Sequence, residues 1–105
     1  MENQGIDEKD WKLFRSRIAD WQERYMQRLI DEYEKIIQSD QNASDKFWEL
    51  EKRIKNDKRD AGVVCEMRRS VMLSNIFELL HEKAITIEDL DGFSEELLSF
   101  VRARI

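Results

Sequence analysis

Between Asp7 and Gln38 the apolar side chains recur at steps of three and four residues, with no glycine or proline in the interval. Such spacing places these residues on one face of an α-helix. The face consists of Trp11, Phe14, Ile18, Trp21, Tyr25, Leu29, Tyr33 and Ile36. Asp7 can cap the N-terminus because its carboxylate can accept hydrogen bonds from the free amides of the first turn. The pattern therefore predicts one long helix from about Asp7 to about Gln38.

A second apolar stripe widens this face in the C-terminal half of the helix. Its members are Met26, Ile30, Tyr33 and Ile37. A wide apolar face is typical of a helix that packs in a core, whereas a narrow seam contacts one neighbour. We therefore expect the C-terminal half to lie in the core and the end from Trp11 to Trp21 to project past its neighbours.

The whole chain is poor in the residues that make tight turns. It has no proline, and its three glycines are Gly5, Gly62 and Gly92. Because sheet-rich folds use many turns built on glycine and proline, this scarcity favours an all-α fold with few connections. Charged residues make up 39% of the chain, which is high and is typical of slender amphipathic helices.

A polar turn over residues 39–43 precedes a second, shorter helix, predicted from about Asp45 to about Asn56. Asn42 or Ser44 can cap its N-terminus. The residues that share its apolar face, which we expect to be buried, are Phe47, Leu50 and Ile54. Trp48 lies beside this face and is expected to be half buried.

The third and fourth helices are predicted to form a C-terminal helical hairpin. Gly62 interrupts the pattern, and the third helix is predicted from about Val63 to about Glu82. Thr86 caps the fourth helix, with Asp89 three residues later in a variant of the capping box. The fourth helix is expected to continue almost to the C-terminus, with Gly92 marking a kink or a close contact.

Together these elements predict a single domain over residues 1–105. It is an all-α four-helix bundle with a long first helix, a short second helix and a C-terminal helical hairpin. Residues 1–6 precede the first cap and are expected to be disordered. The sequence begins without a secretory signal and has no apolar run as long as a membrane span, so we expect a cytoplasmic protein that does not enter a membrane.

Side chains that carry chemistry are sparse in this sequence. His81 is the only histidine and Cys65 the only cysteine, so the companions of a catalytic or zinc site are missing. We interpret His81 as a surface or structural residue near the end of the third helix. We interpret Cys65 as a small buried residue in the first turn of that helix. An enzyme that uses Cys65 or His81 stays open as an alternative, but the sequence predicts no catalysis, no cofactor and no metal.

Basic residues crowd the end of the second helix and the segment after it. They are Lys52, Arg53, Lys55, Lys58, Arg59, Arg68 and Arg69. A patch of this kind can bind an anion, so the alternative function is a nucleic-acid-associated regulator. The acidic residues interleaved with them are Glu51, Asp57, Asp60 and Glu66. Because these acids offset much of the positive charge and the net charge is −5, we expect a solvated face and no nucleic-acid partner.

Seven of the ten aromatic residues lie between Trp11 and Trp48, and their spacing assigns most of them to the core. Trp and Tyr are also frequent at binding hot spots, where Arg adds stacking and charge. The candidate partner surface comprises Trp11, Tyr25, Trp48, Arg53 and Lys55. The predicted function is a non-catalytic protein–protein interaction or regulatory module. It acts through a protein partner or through self-association, with no small-molecule substrate.

Three strings of residues are similar to those of a known family. They are Trp11–Arg15 with Trp21, Gln22 and Tyr25, then Ser44–Lys55, then Glu88–Leu90 with Phe93–Leu97. Together they resemble a family of short, uncharacterised helical proteins of anaerobic Gram-positive bacteria, some of which carry the label multidrug transporter. That label implies membrane spans, which this sequence does not contain. The resemblance implies a bacterial cytosolic setting and brings no catalytic residues with it.

Overall fold

The structure, a computed structural model, describes residues 7–105. This part of the chain contains no strand, and the all-α prediction is confirmed. The α-helices are α1 (Glu8–Ile37), α2 (Ala43–Asp57), α3 (Met72–His81) and α4 (Glu95–Arg102). Short 3-10 helices lie at Arg69–Val71 and Ile87–Leu90. The prediction of disorder for residues 1–6 falls outside the described residues.

The boundaries of α1 and α2 agree with the sequence because local side chains cap both helices. The Asp7 carboxylate accepts a hydrogen bond from the Asp10 amide at 2.7 Å. Asn42, one of the two caps considered, accepts from the Asp45 amide at 3.3 Å. Each cap satisfies an amide that would otherwise lack a partner inside its helix.

The core lies against α1 from Phe14 to Leu29, so the N-terminal half of the helix is buried as well as the first part of its C-terminal half. Phe14 is fully buried, Trp21 is 4% exposed, and the Trp21 and Phe93 rings stack with centroids 6.5 Å apart. Residues from α1, α3, α4 and the segments between them form one buried cluster. It includes Phe14, Ile18, Trp21, Tyr25, Leu29, Met72, Ile76, Leu79, Ile85, Leu90, Phe93, Leu97 and Val101. The predicted projection of the Trp11–Trp21 end is therefore wrong.

Polar side chains along α1 bind the C-terminal part of the chain and explain why it packs on this part of the helix. The buried carboxylate of Asp10 accepts hydrogen bonds from the Ser94 amide at 2.9 Å and the Ser94 hydroxyl at 2.7 Å. Further along α1, Arg24 donates to the Ala84 carbonyl at 3.2 Å and pairs with Asp89 at 3.0 Å. These contacts fix α4 and the segment before it against the first five turns of α1.

The third helix begins at Met72 rather than at about Val63, so this predicted boundary is wrong. Residues 64–68 form an irregular segment after the turn at Gly62. The Glu82 carboxylate accepts hydrogen bonds from the amides of Ala61 (2.8 Å) and Gly62 (2.9 Å), which holds this turn against the end of α3. Val63 and Val64 follow it, and β-branched residues favour extended backbone over helix.

The fourth predicted helix is two elements, not one. The capping box of Thr86 and Asp89 is present, but the helix that it starts is the 3-10 helix Ile87–Leu90. Gly92 then adopts a φ of +98°, which ends regular structure and favours glycine. Ser94 caps a new helix, α4, because its hydroxyl accepts a hydrogen bond from the Leu97 amide at 3.1 Å.

Candidate partner-binding face

The second helix is attached to α1 mainly through polar side chains. Arg53 pairs with Glu32 at 2.6 Å and lies over the Tyr33 ring, with its guanidinium carbon 5.4 Å from the ring centroid. The Tyr33 hydroxyl donates to the Asp57 carboxylate at 2.5 Å. Burial, reinforced by the hydrogen bond to Asp57, raises the pKa of Tyr33 to about 12. The phenol therefore stays protonated at neutral pH and keeps donating to Asp57.

None of the residues of α2 is buried, which corrects the prediction for its apolar face. Phe47 is 62% exposed and Ile54 is 43% exposed, while Leu50 is only partly buried. Trp48, expected to be half buried, is 63% exposed. The reason is that α3 and α4 pack against the other half of α1. The helix α2 packs on the C-terminal half of α1, and the side chains of Arg53 and Asp57 make the polar part of that contact.

The second apolar stripe of α1 is exposed for the same reason. Ile30 is 55% exposed and Ile37 is 53% exposed, although both were expected in the core. These residues lie beside the apolar residues of α2: Ile30, Ile37, Leu50 and Ile54 line one shallow groove. Phe47 extends this groove next to Leu50 and Ile54, and Met26 extends it next to Ile30.

We call this surface the hairpin face. It is defined by Met26, Ile30, Ile37, Phe47, Leu50 and Ile54. No residue of α3 or α4 lines these grooves, and Val63 lies beside the Met26 end of the face. Exposed apolar residues scattered singly are ordinary, but a contiguous group of this size marks an interaction site in a folded protein.

The two edges of the hairpin face carry opposite charge. Asp31 and Glu34 line the edge formed by α1. Lys55 and Lys58 line the edge formed by α2, where Glu51 is the one acidic residue. A polar border around an apolar centre is the usual anatomy of a protein interface. The charge pattern also gives the face a direction, with a negative and a positive edge.

The five residues of the candidate partner surface do not come together. Tyr25 is 6% exposed and donates a hydrogen bond to Asp60, so it lies in the core and not on an accessible surface. Trp11 is half-buried beside Phe14 near the start of α1, about 39 Å along the helix from the end that leads into α2 when counted at 1.5 Å per residue. Arg53 is engaged in the contact between α1 and α2. Only Trp48 and Lys55 lie in the open, next to the hairpin face.

The basic cluster does not form one exposed patch. Arg68 pairs with Glu66, and Arg69 pairs with Glu8 at 2.7 Å. Arg53 pairs with Glu32, as described above. Lys52, Lys55, Lys58 and Arg59 are exposed, and Lys55 and Lys58 belong to the edge of the hairpin face. Three arginines of the cluster are therefore engaged in ion pairs, and its other four members lie on the exposed surface.

The sequence predicted that Cys65 lies in the first turn of the third helix, but the structure places it outside any helix. It is half-buried in the irregular segment, and its thiol donates to the Ala61 carbonyl at 3.1 Å. Burial and the nearby carboxylates of Glu82 and Glu78 raise the pKa of Cys65 to about 11. Such a thiol carries almost no thiolate at neutral pH, whereas a nucleophilic cysteine needs a lowered pKa. His81 is exposed on the last turn of α3.

Across residues 7–105 the structure contains no cluster of three or more His, Cys, Asp or Glu side chains that could hold a metal ion. Nor does any helix in that range have both the length and the apolar character to span a bilayer. Comparison with family models, with curated proteins and with solved structures gave no match to this chain.

Proposed function

We propose that the protein is a helical interaction module that binds a helical protein surface through the hairpin face. The observation that carries this proposal is that α2 buries none of its residues while presenting Phe47, Leu50 and Ile54. A pair of helices of this length has only marginal stability in water when it stands alone, because helices are stabilised mainly by packing of their apolar faces. A partner that covers the face would supply that packing.

The chemistry of the face indicates what kind of partner fits. Aliphatic residues on two neighbouring helices form a groove that suits the apolar stripe of another helix, read at steps of three and four residues. Trp48 and Lys55 lie next to this groove, where a tryptophan and a cation can contribute to an interface. The proposal keeps these two residues of the sequence-based candidate surface and replaces the others with the hairpin face.

Site-specific photocrosslinking in the host cell tests this proposal. A photoreactive phenylalanine analogue replaces Ile54 in one variant and Ile105 in a control variant, because Ile105 is also apolar and exposed but lies away from the face. We expect position 54 to give a discrete protein adduct that disappears when Phe47→Glu is added. Equal adducts from both positions, or none from position 54, would contradict the proposal.

The ion pairs seen within residues 7–105 argue against the nucleic-acid alternative. Arg53, Arg68 and Arg69 are held in ion pairs, so the phosphate contacts that they could make would first require those pairs to break. Binding of that kind would weaken steeply as salt is added. A mobility shift with duplex or single-stranded nucleic acid at low salt, lost at higher salt, would revive this alternative.

A further inference from the structure

We infer that the partner which covers the hairpin face is a second copy of this chain, related by a two-fold axis that runs along the hairpin. This inference rests on the proposed function, because it names the occupant of the same face. In this arrangement α1 of one copy lies against α2 of the other. The two hairpins then form a four-helix bundle that neither copy forms alone.

The charges at the edges of the face select this arrangement. A two-fold axis along the hairpin places the acidic edge of one copy, with Asp31 and Glu34, against the basic edge of the other, with Lys55 and Lys58. The same contact occurs twice, as an isologous interface requires. A two-fold axis across the hairpin would instead place like charges together, which disfavours association.

The apolar residues of the face are also self-complementary. Each helix contributes a stripe spaced at steps of three, four or seven residues, and stripes of this kind pack against each other in four-helix bundles. Both neighbours of each helix would run antiparallel to it, which is the arrangement that short connections produce. The exposed isoleucines of α1, Ile30 and Ile37, would be covered by α2 of the second copy.

The size of the face sets the strength of the association. The helix α2 has 15 residues, so the hairpin face is about 22 Å long, and two adjacent helices are about 20 Å wide. These dimensions give about 440 Å² on each copy, which is below the roughly 800 Å² that a stable protein interface buries on each partner and is in the range of weak, transient contacts. We therefore expect a reversible dimer with a dissociation constant in the micromolar range.

Analytical ultracentrifugation over a range of concentrations tests the inference. The average mass should rise from the 12.7 kDa of the monomer toward twice that value. Ile54→Glu should weaken the dimer about tenfold or more, because it places a charge in the apolar contact. The matched substitution Ile105→Glu lies outside the face and should leave the dissociation constant unchanged. Circular dichroism checks that both variants keep their helix content.

A charge-swap experiment tests the proposed pairing of helices. One variant carries Asp31→Lys with Glu34→Lys, and the other carries Lys55→Glu with Lys58→Glu. Each variant alone should dimerise more weakly than the natural chain, because its two edges now carry the same sign. Mixed together, the two variants should form a heterodimer at least as readily as the natural chain forms its dimer. A mixture that stays as weak as its components would overturn the pairing.

A chain that stays monomeric at concentrations of about 1 mM would overturn the inference. So would an Ile105→Glu variant that weakens the dimer as much as Ile54→Glu. Either result leaves the proposed function standing if position 54 still crosslinks to a different protein. Loss of both the dimer and the crosslink would remove the proposed function as well.

Discussion

Gly62 lies where the backbone passes directly against the face of the Tyr25 ring. A Cβ atom at this position would lie 2.2 Å from Cδ2 of Tyr25, well inside van der Waals contact. The ring has no room to move aside, because it is buried and its hydroxyl donates to Asp60 at 2.5 Å. The close approach, rather than an unusual φ angle, is what requires glycine here.

We therefore predict that Gly62→Ala lowers the free energy of unfolding by about 3 kcal/mol, the upper range for overpacking a rigid site. Chemical denaturation followed by circular dichroism measures this value. Ser99→Ala, at an exposed position of α4, is the control and should change stability by less than about 0.5 kcal/mol. A Gly62→Ala protein as stable as the control would show that the turn is not packed on Tyr25.

Lys83 ends α3 in a conformation that normally belongs to glycine. Its φ is +62°, and the Ala84 and Lys83 amides donate to the carbonyls of Leu79 (2.9 Å) and Leu80 (3.0 Å). These two hydrogen bonds define a Schellman motif with lysine at the left-handed position. Arg28 holds the motif in place by donating to the Lys83 carbonyl at 2.9 Å.

We predict that Lys83→Gly stabilises the protein by about 1 kcal/mol, because glycine carries no steric penalty in the left-handed region. The same substitution in the interior of a helix should have the opposite sign. Lys52→Gly in α2 is that comparison, and it should destabilise by about 1 kcal/mol. Thermal unfolding of both variants measures the two shifts. Destabilisation by Lys83→Gly would contradict the assignment of the motif.

Cys65 supplies a prediction about pH. Because burial and neighbouring carboxylates raise its pKa to about 11, the neutral thiol is the dominant form at pH 7. Labelling of the native protein by a thiol reagent should be slow at pH 7 and should accelerate about tenfold for each pH unit up to about 10. Labelling in denaturant, where the thiol regains its ordinary pKa, is the control. Fast labelling at pH 7 would instead favour the alternative of a reactive cysteine.

Helix boundaries that are set by residues close by in the sequence were predictable. Asp7 and Asn42 cap their helices through contacts only three residues long. The sequence indicated a kink or a close contact at Gly92, and the structure has both, but the start of α3 and the new helix at Ser94 were not predictable in this way. Those boundaries depend on contacts between distant residues, such as Glu82 with Ala61 and Asp10 with Ser94.

The hairpin face contains residues that the sequence identified as apolar but assigned to the core. Periodicity shows which side of a helix is apolar, but it does not show what covers that side. One signal for an uncovered face was present in the sequence. The helix α1 has two apolar stripes, which require two different neighbours, and the short second helix was the only element available near its C-terminal half.

Isoleucine-to-alanine substitutions should show that α2 contributes less to stability than the helices of the core. Ile76 of α3 is fully buried, so Ile76→Ala should lower the free energy of unfolding by about 3 kcal/mol. Ile54 of α2 is exposed, and Ile54→Ala in dilute protein should cost less than about 1 kcal/mol. Denaturation of both variants at low concentration measures the difference. Equal losses would show that α2 packs in the core.

The molecule as a whole is elongated, with extents of 53 × 24 × 23 Å. The buried cluster includes residues of α1 as far as Leu29, and Tyr33 packs against it one turn further on. The sequence predicted the helical class but neither the burial of Phe14 and Trp21 nor the exposure of Ile30 and Ile37. Which side chains of α1 are buried depends on where α3 and α4 dock, and hydrogen bonds between distant residues decide that.

Hydrogen–deuterium exchange at two protein concentrations tests most directly whether α2 lacks a cover within one chain and gains it from a second copy. In dilute protein the amides of Ala43–Asp57 should exchange much faster than those of Met72–His81, because α2 buries no residue. At concentrations that favour the dimer, α2 should become protected while α3 changes little. An α2 that is as protected as α3 in dilute protein, or that exchanges equally fast at every concentration, would contradict the account.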